Sequence, residues 1–301
     1  MTTELLTTWT FAPLTTSVAL VVGAAYLLGT ARLRRDGRPW PWWRTAVFVG
    51  LALPLVILTV SWWPGARAHA LFAAYMTQVV VLALVAPALL VLGAPVRLGR
   101  EALAGSTAGR RWDAVFDSRV LRVSTHPLVT PLFLLALPVL VVFSPLLLMS
   151  LQRPAVYAVV QLALVVLGTV AVLGLVDRQV PDHAVPYAFA AFVAFFELLL
   201  DAIPGGVLFF TTSLLAGGWY AGHGDPGGAD WALSDQQAAG AILWAVGEGI
   251  DVPFLLIIVI LWMRADAEEA RRMDAILDAQ DAERRRRGEI DHDVAKGPAA
   301  D

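Results

Sequence analysis

Residues 69–96 read HALFAAYMTQVVVLALVAPALLVLGAPV, and no charged side chain interrupts the run from Ala70 to Ala94. About 20 apolar residues in series form a helix about 30 Å long, which is the thickness of the hydrocarbon layer of a bilayer. A barrel strand would instead alternate apolar and polar residues over about 10 positions. The run therefore predicts a transmembrane helix. Comparable runs lie at Leu14 to Ala31, Ala46 to Trp63, Pro127 to Met149, Pro154 to Val176, Tyr187 to Leu215 and Gln237 to Met263. Because lipid leaves a backbone no water to bond with, these runs together predict an all-α, polytopic membrane protein, a bundle of seven transmembrane helices.

Composition points the same way. The 301 residues are 58% hydrophobic and 16% charged, with a mean hydropathy of +0.67, which is too apolar for a soluble chain. The lipid bilayer is then the first partner, and a net charge of −3 gives no footing for nucleic acid. Cysteine is absent, which removes thiolate metal sites and thiol nucleophiles together. The first thirteen residues carry Glu4 but no Lys or Arg. That lacks the basic start of a cleaved signal peptide, so the first helix is expected to be retained.

Orientation follows from where the charges lie. With the N-terminus outside, the segments on the cytoplasmic side hold 20 of the 22 Lys and Arg residues, and the outer segments hold only Arg67 and Arg153. By the positive-inside rule the C-terminus is cytoplasmic. Trp40, Trp42, Trp43, Trp62, Trp63, Trp112, Trp219, Trp231 and Trp262 fall near the predicted helix ends, where an indole sits at the level of the headgroups. The loop Arg110 to Ser124 sets Trp112, Val115, Phe116, Val120 and Leu121 among arginines, the pattern of a helix lying in the interface. The chain divides into a seven-helix transmembrane domain over residues 1–263 and a charged cytoplasmic tail over residues 264–301. In the tail, Glu268 and Glu269 stand three residues before Arg271 and Arg272, a spacing that supports an exposed helix. Disorder is expected after Gly288.

Two polar sets interrupt the apolar pattern. Helix six carries Glu197 and Asp201, and helix seven carries Glu248 and Asp251. At about 1.5 Å per residue from their cytoplasmic ends, Glu197 and Asp251 lie about 17 and 20 Å deep, and Asp201 and Glu248 about 22 and 24 Å. A carboxylate at such depth costs at least about 2.5 kcal/mol and marks a functional site by default. Hydrogen-bonded glue between helices is the plainer reading. Pro204, Gly205 and Gly206 follow Asp201 and predict a helix break there.

The second set lies toward the outer face. It comprises Tyr75 and Gln78 on helix three with Tyr157 and Gln161 on helix five, expected around a polar cavity. His69, Met76, Met149 and His223 lie near it. Imidazole and thioether are ligands that Cu(I) favours, although a lone Met on an apolar helix is usually packing. No Ser-His-Asp arrangement or HExxH motif is present, and the glycines Gly99, Gly105 and Gly109 lack a Walker lysine, so the chain is not expected to be an enzyme.

Three stretches resemble the CtaG family of bacterial cytochrome c oxidase assembly factors. They are His69 to Val96, with its APALLVLGAP run at Ala86 to Pro95; the sequence Thr125-His126-Pro127; and Ser234 to Trp244 (SDQQAAGAILW), continuing to Trp262-Met263-Arg264. The resemblance implies a multi-pass protein of the bacterial plasma membrane that assists oxidase assembly and copper placement. Its partners would be oxidase subunits or copper chaperones. The family's His-Met-x-x-His in helix three falls on Tyr75-Met76-Thr77-Gln78-Val79, and Gln161 stands in helix five where the family has histidines. A proton- or cation-coupled transporter built on the four carboxylates is the alternative.

Overall fold

The computed structural model describes residues 8–124, 129–176, 187–224 and 227–295, and every regular element among them is helical. Among the described residues four helices are long and apolar enough to cross a membrane, or five if one bent pair counts as a single span. The first, α1 (Pro13–Arg35), buries Thr15, Ala19, Gly23, Tyr26, Thr30 and Leu33. Steps of three and four residues make this a single stripe along the helix. Leu20, Val21 and Leu28, on its other faces, are exposed, an arrangement that suits lipid or a partner protein better than water.

The second and third spans are α2 (Trp42–Arg67) and α3 (Phe72–Leu92). Each widens to π geometry just ahead of a proline: Ala46–Ala52 precedes Pro54, and Val81–Val85 precedes Pro87. Proline has no N–H to give to the carbonyl four residues earlier, and its ring crowds that carbonyl, so a wide turn relieves both problems. For Pro87 the carbonyl concerned is that of Ala83. It faces Gly168 on the fifth span, so closely that a Cβ there would come within 2.2 Å of the oxygen. Gly168 thus lets two helices meet at a carbonyl that the proline has left free.

Helix α3 is the most buried span. Its Tyr75, Met76, Val79, Val80, Leu82, Ala83 and Ala86 form the centre of the larger apolar core. The APALLVLGAP run ends in a tight turn, with Ala94 in the left-handed region (φ 51°) and Pro95 opening α4 (Pro95–Ala102). Phe48 packs so tightly on Gly93 that a Cβ there would lie 2.7 Å from its side chain, and Tyr26 Oη donates to the Gly93 carbonyl at 2.8 Å. The run is therefore specific because a turn must fit between α1 and α2.

The arginine-rich connection forms α5 (Thr107–Phe116), capped by Ser106 Oγ on the Gly109 N–H, and α6 (Arg119–Ser124). Arg100 pairs with Asp117 at 2.7 Å, and the Trp112 indole lies on Gly99. The fourth predicted helix is not straight. It comprises α7 (Thr130–Val142) and α8 (Leu146–Gln152), bent by 55° at a break that contains Pro145. Ser144 Oγ accepts from the Leu146 N–H at that break.

The fifth span, α9 (Pro154–Val176), packs on α3, α7 and α8. Helix α10 (Tyr187–Phe210) contains Pro204 and runs on through Gly205 and Gly206 for another four residues, so the break expected there does not occur. Proline is tolerated because neighbouring groups can satisfy the freed carbonyl. After the short α11 (Trp219–His223) comes α12 (Ala229–Ala295), 67 residues long. The tail is helical, as its charge spacing predicted, and it continues helix seven without a break; the helix runs past Gly288 to Ala295, further than the end expected at Arg284 to Arg287. The tail is rich in Ala, Glu, Arg and Asp, and a single glycine does not stop a helix. By contacts the chain forms two units, residues 1–181 with 197–249 and residues 182–196 with 250–301. The sites described below lie in the first.

Candidate functional site

Where α3, α8 and α9 meet, hydroxyl and amide side chains form one buried layer. Tyr157 Oη donates to Gln78 Oε1, and Gln78 Nε2 donates to the Thr59 carbonyl at 2.9 Å. Tyr75 Oη and Ser150 Oγ share a hydrogen bond of 2.8 Å. Thr15 Oγ1 donates to Gln161 Oε1 at 3.2 Å, tying α1 to α9. Gln161 Nε2 is the one amide nitrogen of the layer left without an acceptor. Tyr75, Gln78, Ser150 and Gln161 are almost wholly buried. The side chains that the sequence placed around a cavity are thus packed onto one another.

Immediately outside this layer, the α10–α12 connection clamps the α2–α3 connection. Trp219 Nε1 donates to the His69 carbonyl and Tyr220 Oη to the Ala68 carbonyl, each at 3.0 Å. The Tyr220 ring stacks on Phe72 with centroids 5.1 Å apart. Asp235 accepts from the N–H groups of Phe72 at 2.5 Å and Ala73 at 3.3 Å, satisfying the orphan donors that begin α3. Gln236 holds the clamping loop from the other side, accepting from Leu215 N–H at 2.8 Å and donating to the Ser213 carbonyl at 2.9 Å. Burial raises the Asp235 carboxyl above its ordinary value while the two N–H donors pull it down. Burial also raises the Tyr220 phenol and lowers the His69 imidazole.

The soft donors do not converge. The His69 ring meets the edge of Tyr157 at 4.8 Å, and His223 stacks on Trp219 at 3.7 Å with its Nδ1 against the Trp219 carbonyl. Met76 is fully buried in the apolar core, and Met149 is exposed on α8. Among the described residues no three His, Cys, Asp or Glu side chains gather as metal ligands would. The layer itself offers phenol, hydroxyl and amide groups already bonded to one another, a donor set that does not fit Cu(I).

Of the four acids, Glu248 is half-buried and accepts from Trp244 Nε1, on its own helix, at 3.3 Å. The side chains of Glu197, Asp201 and Asp251 lie outside the described residues, as does Thr125-His126-Pro127. Helices α10 and α12 do meet, at glycines. A Cβ on Gly205 would lie 2.7 Å from Trp244 Cβ, and one on Gly240 would lie 2.6 Å from the Phe209 nitrogen and 2.8 Å from the Gly205 carbonyl.

Tyr75 and Gln78 of the layer, and Asp235 and Gln236 of the clamp, lie on the segments that bear the sequence resemblance. The family model for the cytochrome c oxidase caa3 assembly factor (Caa3_CtaG) matches residues 24–265. The chain belongs to this family. In Caa3_CtaG terms, the SDQQ motif at Ser234 has a structural meaning that the sequence reading did not assign: its Asp235 and Gln236 lock the start of α3 and the loop after α10. The signal was a carboxylate next to the start of an apolar run, with no indication of the helix it would reach.

Among curated proteins the chain is similar to the uncharacterized protein ML1998 of Mycobacterium leprae, at 28% identity over 287 residues. It is also similar to the uncharacterized proteins Mb0105 of Mycobacterium bovis and MT0111 of Mycobacterium tuberculosis, each at 27% identity over 294 residues. These alignments cover 91 to 93% of this chain and 42 to 43% of the relatives, so the chain spans less than half the length of the curated proteins it matches. No solved structure matches.

Proposed function

We propose that this Caa3_CtaG chain crosses a bacterial plasma membrane seven times, with its N-terminus outside. In this reading it serves the assembly of cytochrome c oxidase as a binding protein that performs no covalent chemistry. The family match over residues 24–265 carries this reading, because it takes in α3, the polar layer apart from Thr15, and both sides of the clamp. The charge asymmetry of the loops supports the orientation. A clamp that fixes the outer ends of α3 and α12 suits a surface that must keep its shape to receive an oxidase subunit or a copper chaperone.

Copper, in this reading, is handled by the partners. The bonded amides and phenols around Gln78 and Gln161 make a poor home for Cu(I), so the side chains of this layer contribute packing.

Deleting the gene and assaying oxidase activity and copper in the membranes tests the proposal. Activity should fall and return with the wild-type gene, and with His69→Ala and Met76→Leu variants as well. Unchanged oxidase activity in the deletion strain would end the reading.

A further inference from the structure

An apolar groove of about 280 Å³ runs between α1 and α9, with Phe48 and Leu53 of α2 at its back and Trp112 and Phe116 of α5 at its arginine-rich end. That volume is at the lower edge of the roughly 300–1,000 Å³ typical of ligand pockets. Val18, Val22 and Val166 line the groove and are themselves exposed, so it opens toward whatever surrounds the bundle. At the other end Thr15 lines it, and the bond from Thr15 to Gln161 ties α1 to α9 there.

In a bilayer such a space has one physically sensible content. Water gains nothing in a cavity without polar partners, and an empty cavity forfeits the dispersion contacts of its walls. A hydrocarbon chain supplies those contacts. The open end also has a sign of charge. Arg110 and Arg111 directly precede Trp112 on α5 and are exposed, whereas Arg97, which directly follows the lining residue Val96, is paired with Glu101 at 2.6 Å.

We propose that this groove is a specific lipid site that takes one acyl chain of an anionic phospholipid, with the phosphate-bearing headgroup held at Arg110 and Arg111. The site would bind phosphatidylglycerol-type lipid in preference to zwitterionic lipid, because basic groups at the membrane surface attract anionic headgroups additively. It is independent of the assembly role and needs only that the chain lie in a membrane.

The test uses the full chain purified in mild detergent, with native mass spectrometry counting bound lipid. Thermal melting is followed on adding phosphatidylglycerol or phosphatidylcholine in mixed micelles. One phosphatidylglycerol should stay bound to the wild type, and its addition should raise the melting temperature more than phosphatidylcholine does. Val166→Trp, which fills the groove from its exposed side, should lose the bound lipid while melting normally without added lipid. Arg110→Gln with Arg111→Gln should weaken phosphatidylglycerol binding about 30-fold and abolish the preference for it. Equal retention of both lipids by the wild type, absence of any retained lipid, or unchanged retention by Val166→Trp would each overturn the proposal.

Discussion

The Asp235 carboxylate accepts the backbone N–H groups of Phe72, at 2.5 Å, and Ala73, at 3.3 Å, across 163 and 162 residues of sequence. Capping carboxylates usually come from the residue just before the helix. Here the residue before α3 is Leu71, which has no group to offer, and the cap is supplied by the start of the last helix instead. One side chain thus satisfies a local backbone need and also fixes which helices are neighbours at this end of the bundle.

Replacing Asp235 by Ala should destabilise the detergent-solubilised protein by about 1 kcal/mol, within the roughly 0.5–2 kcal/mol range of lost caps. Asp235→Asn, which keeps one acceptor, should cost less. The pH dependence has a definite sign. The folded state holds this carboxyl above its ordinary 3.8, so it binds a proton more tightly than the unfolded chain does. The contribution is therefore fully present below 3.8 and is lost as pH rises through the folded-state value. Because the amide does not titrate, the wild type should hold its largest advantage over Asp235→Asn in acid, and that advantage should shrink as pH rises through that window. A difference that is flat with pH would refute the sign.

Gly240 and Gly205 set the closest approach of α10 and α12, and larger residues should push these helices apart. A Cβ on Gly240 would meet backbone at 2.6 and 2.8 Å, and backbone cannot swing aside as a flexible side chain can. Gly240→Leu should cost upward of about 1–3 kcal/mol, the usual range for overpacking, and lower the yield of monodisperse protein. Gly206→Ala is the control. Nothing lies within 4 Å of its new Cβ, so its melting point should not fall.

Purified protein should bind Cu(I) weakly, measured by competition with a chromogenic chelator. His69 and Met76 are the soft donors near the polar layer, and Met76 is sealed in the core. Tight binding of one equivalent, lost in His69→Ala or Met76→Leu, would contradict this.

The apolar runs of α2, α3 and α9 were legible in the sequence because about 20 uninterrupted apolar residues have few alternatives in water or lipid. What stayed hidden depends on partners distant in sequence. Pro145 was visible, but a proline in a membrane helix bends, breaks or does neither according to its neighbours. Pro145 lies at a 55° break, whereas Pro204 lies inside an unbroken helix. Gly205 was read as a sign of a break, yet its missing side chain is used to admit Trp244. Asp235 was quoted only as part of a motif, because nothing local tells a carboxylate which helix end it will reach. Tyr75, Gln78, Tyr157 and Gln161 were singled out correctly as polar among apolar neighbours, but sequence alone cannot distinguish a cavity lining from a set of groups bonded to one another.

Reporter fusions check the orientation. Those placed after Arg35, Arg110, Arg178 and Arg272 should read cytoplasmic, and those near Pro64, Arg153 and Gly224 external, as the arginine distribution requires. An external signal at Arg110 would sink the seven-crossing map. It would also move the arginine end of the lipid groove to the other leaflet.

The polar layer yields unequal expectations for two of its members, and the contrast separates packing from chemistry. Tyr157→Phe removes the donor to Gln78 Oε1 and leaves a buried acceptor unpaired, since Gln78 is otherwise committed through Nε2 to Thr59. In membrane proteins such interhelical bonds are worth about 0.6 kcal/mol on average and at most about 1.7, so the melting temperature should fall measurably. Gln161 already carries an unpaired Nε2. Gln161→Met removes that buried donor but leaves the buried Thr15 hydroxyl without its acceptor, so the two effects oppose each other and the melting temperature should change less than in Tyr157→Phe. If the layer only packs the helices, both variants should support oxidase assembly in proportion to the protein that accumulates in the membrane. A Gln161→Met protein that is as stable and abundant as wild type but inactive in complementation would show that the amide serves the function directly.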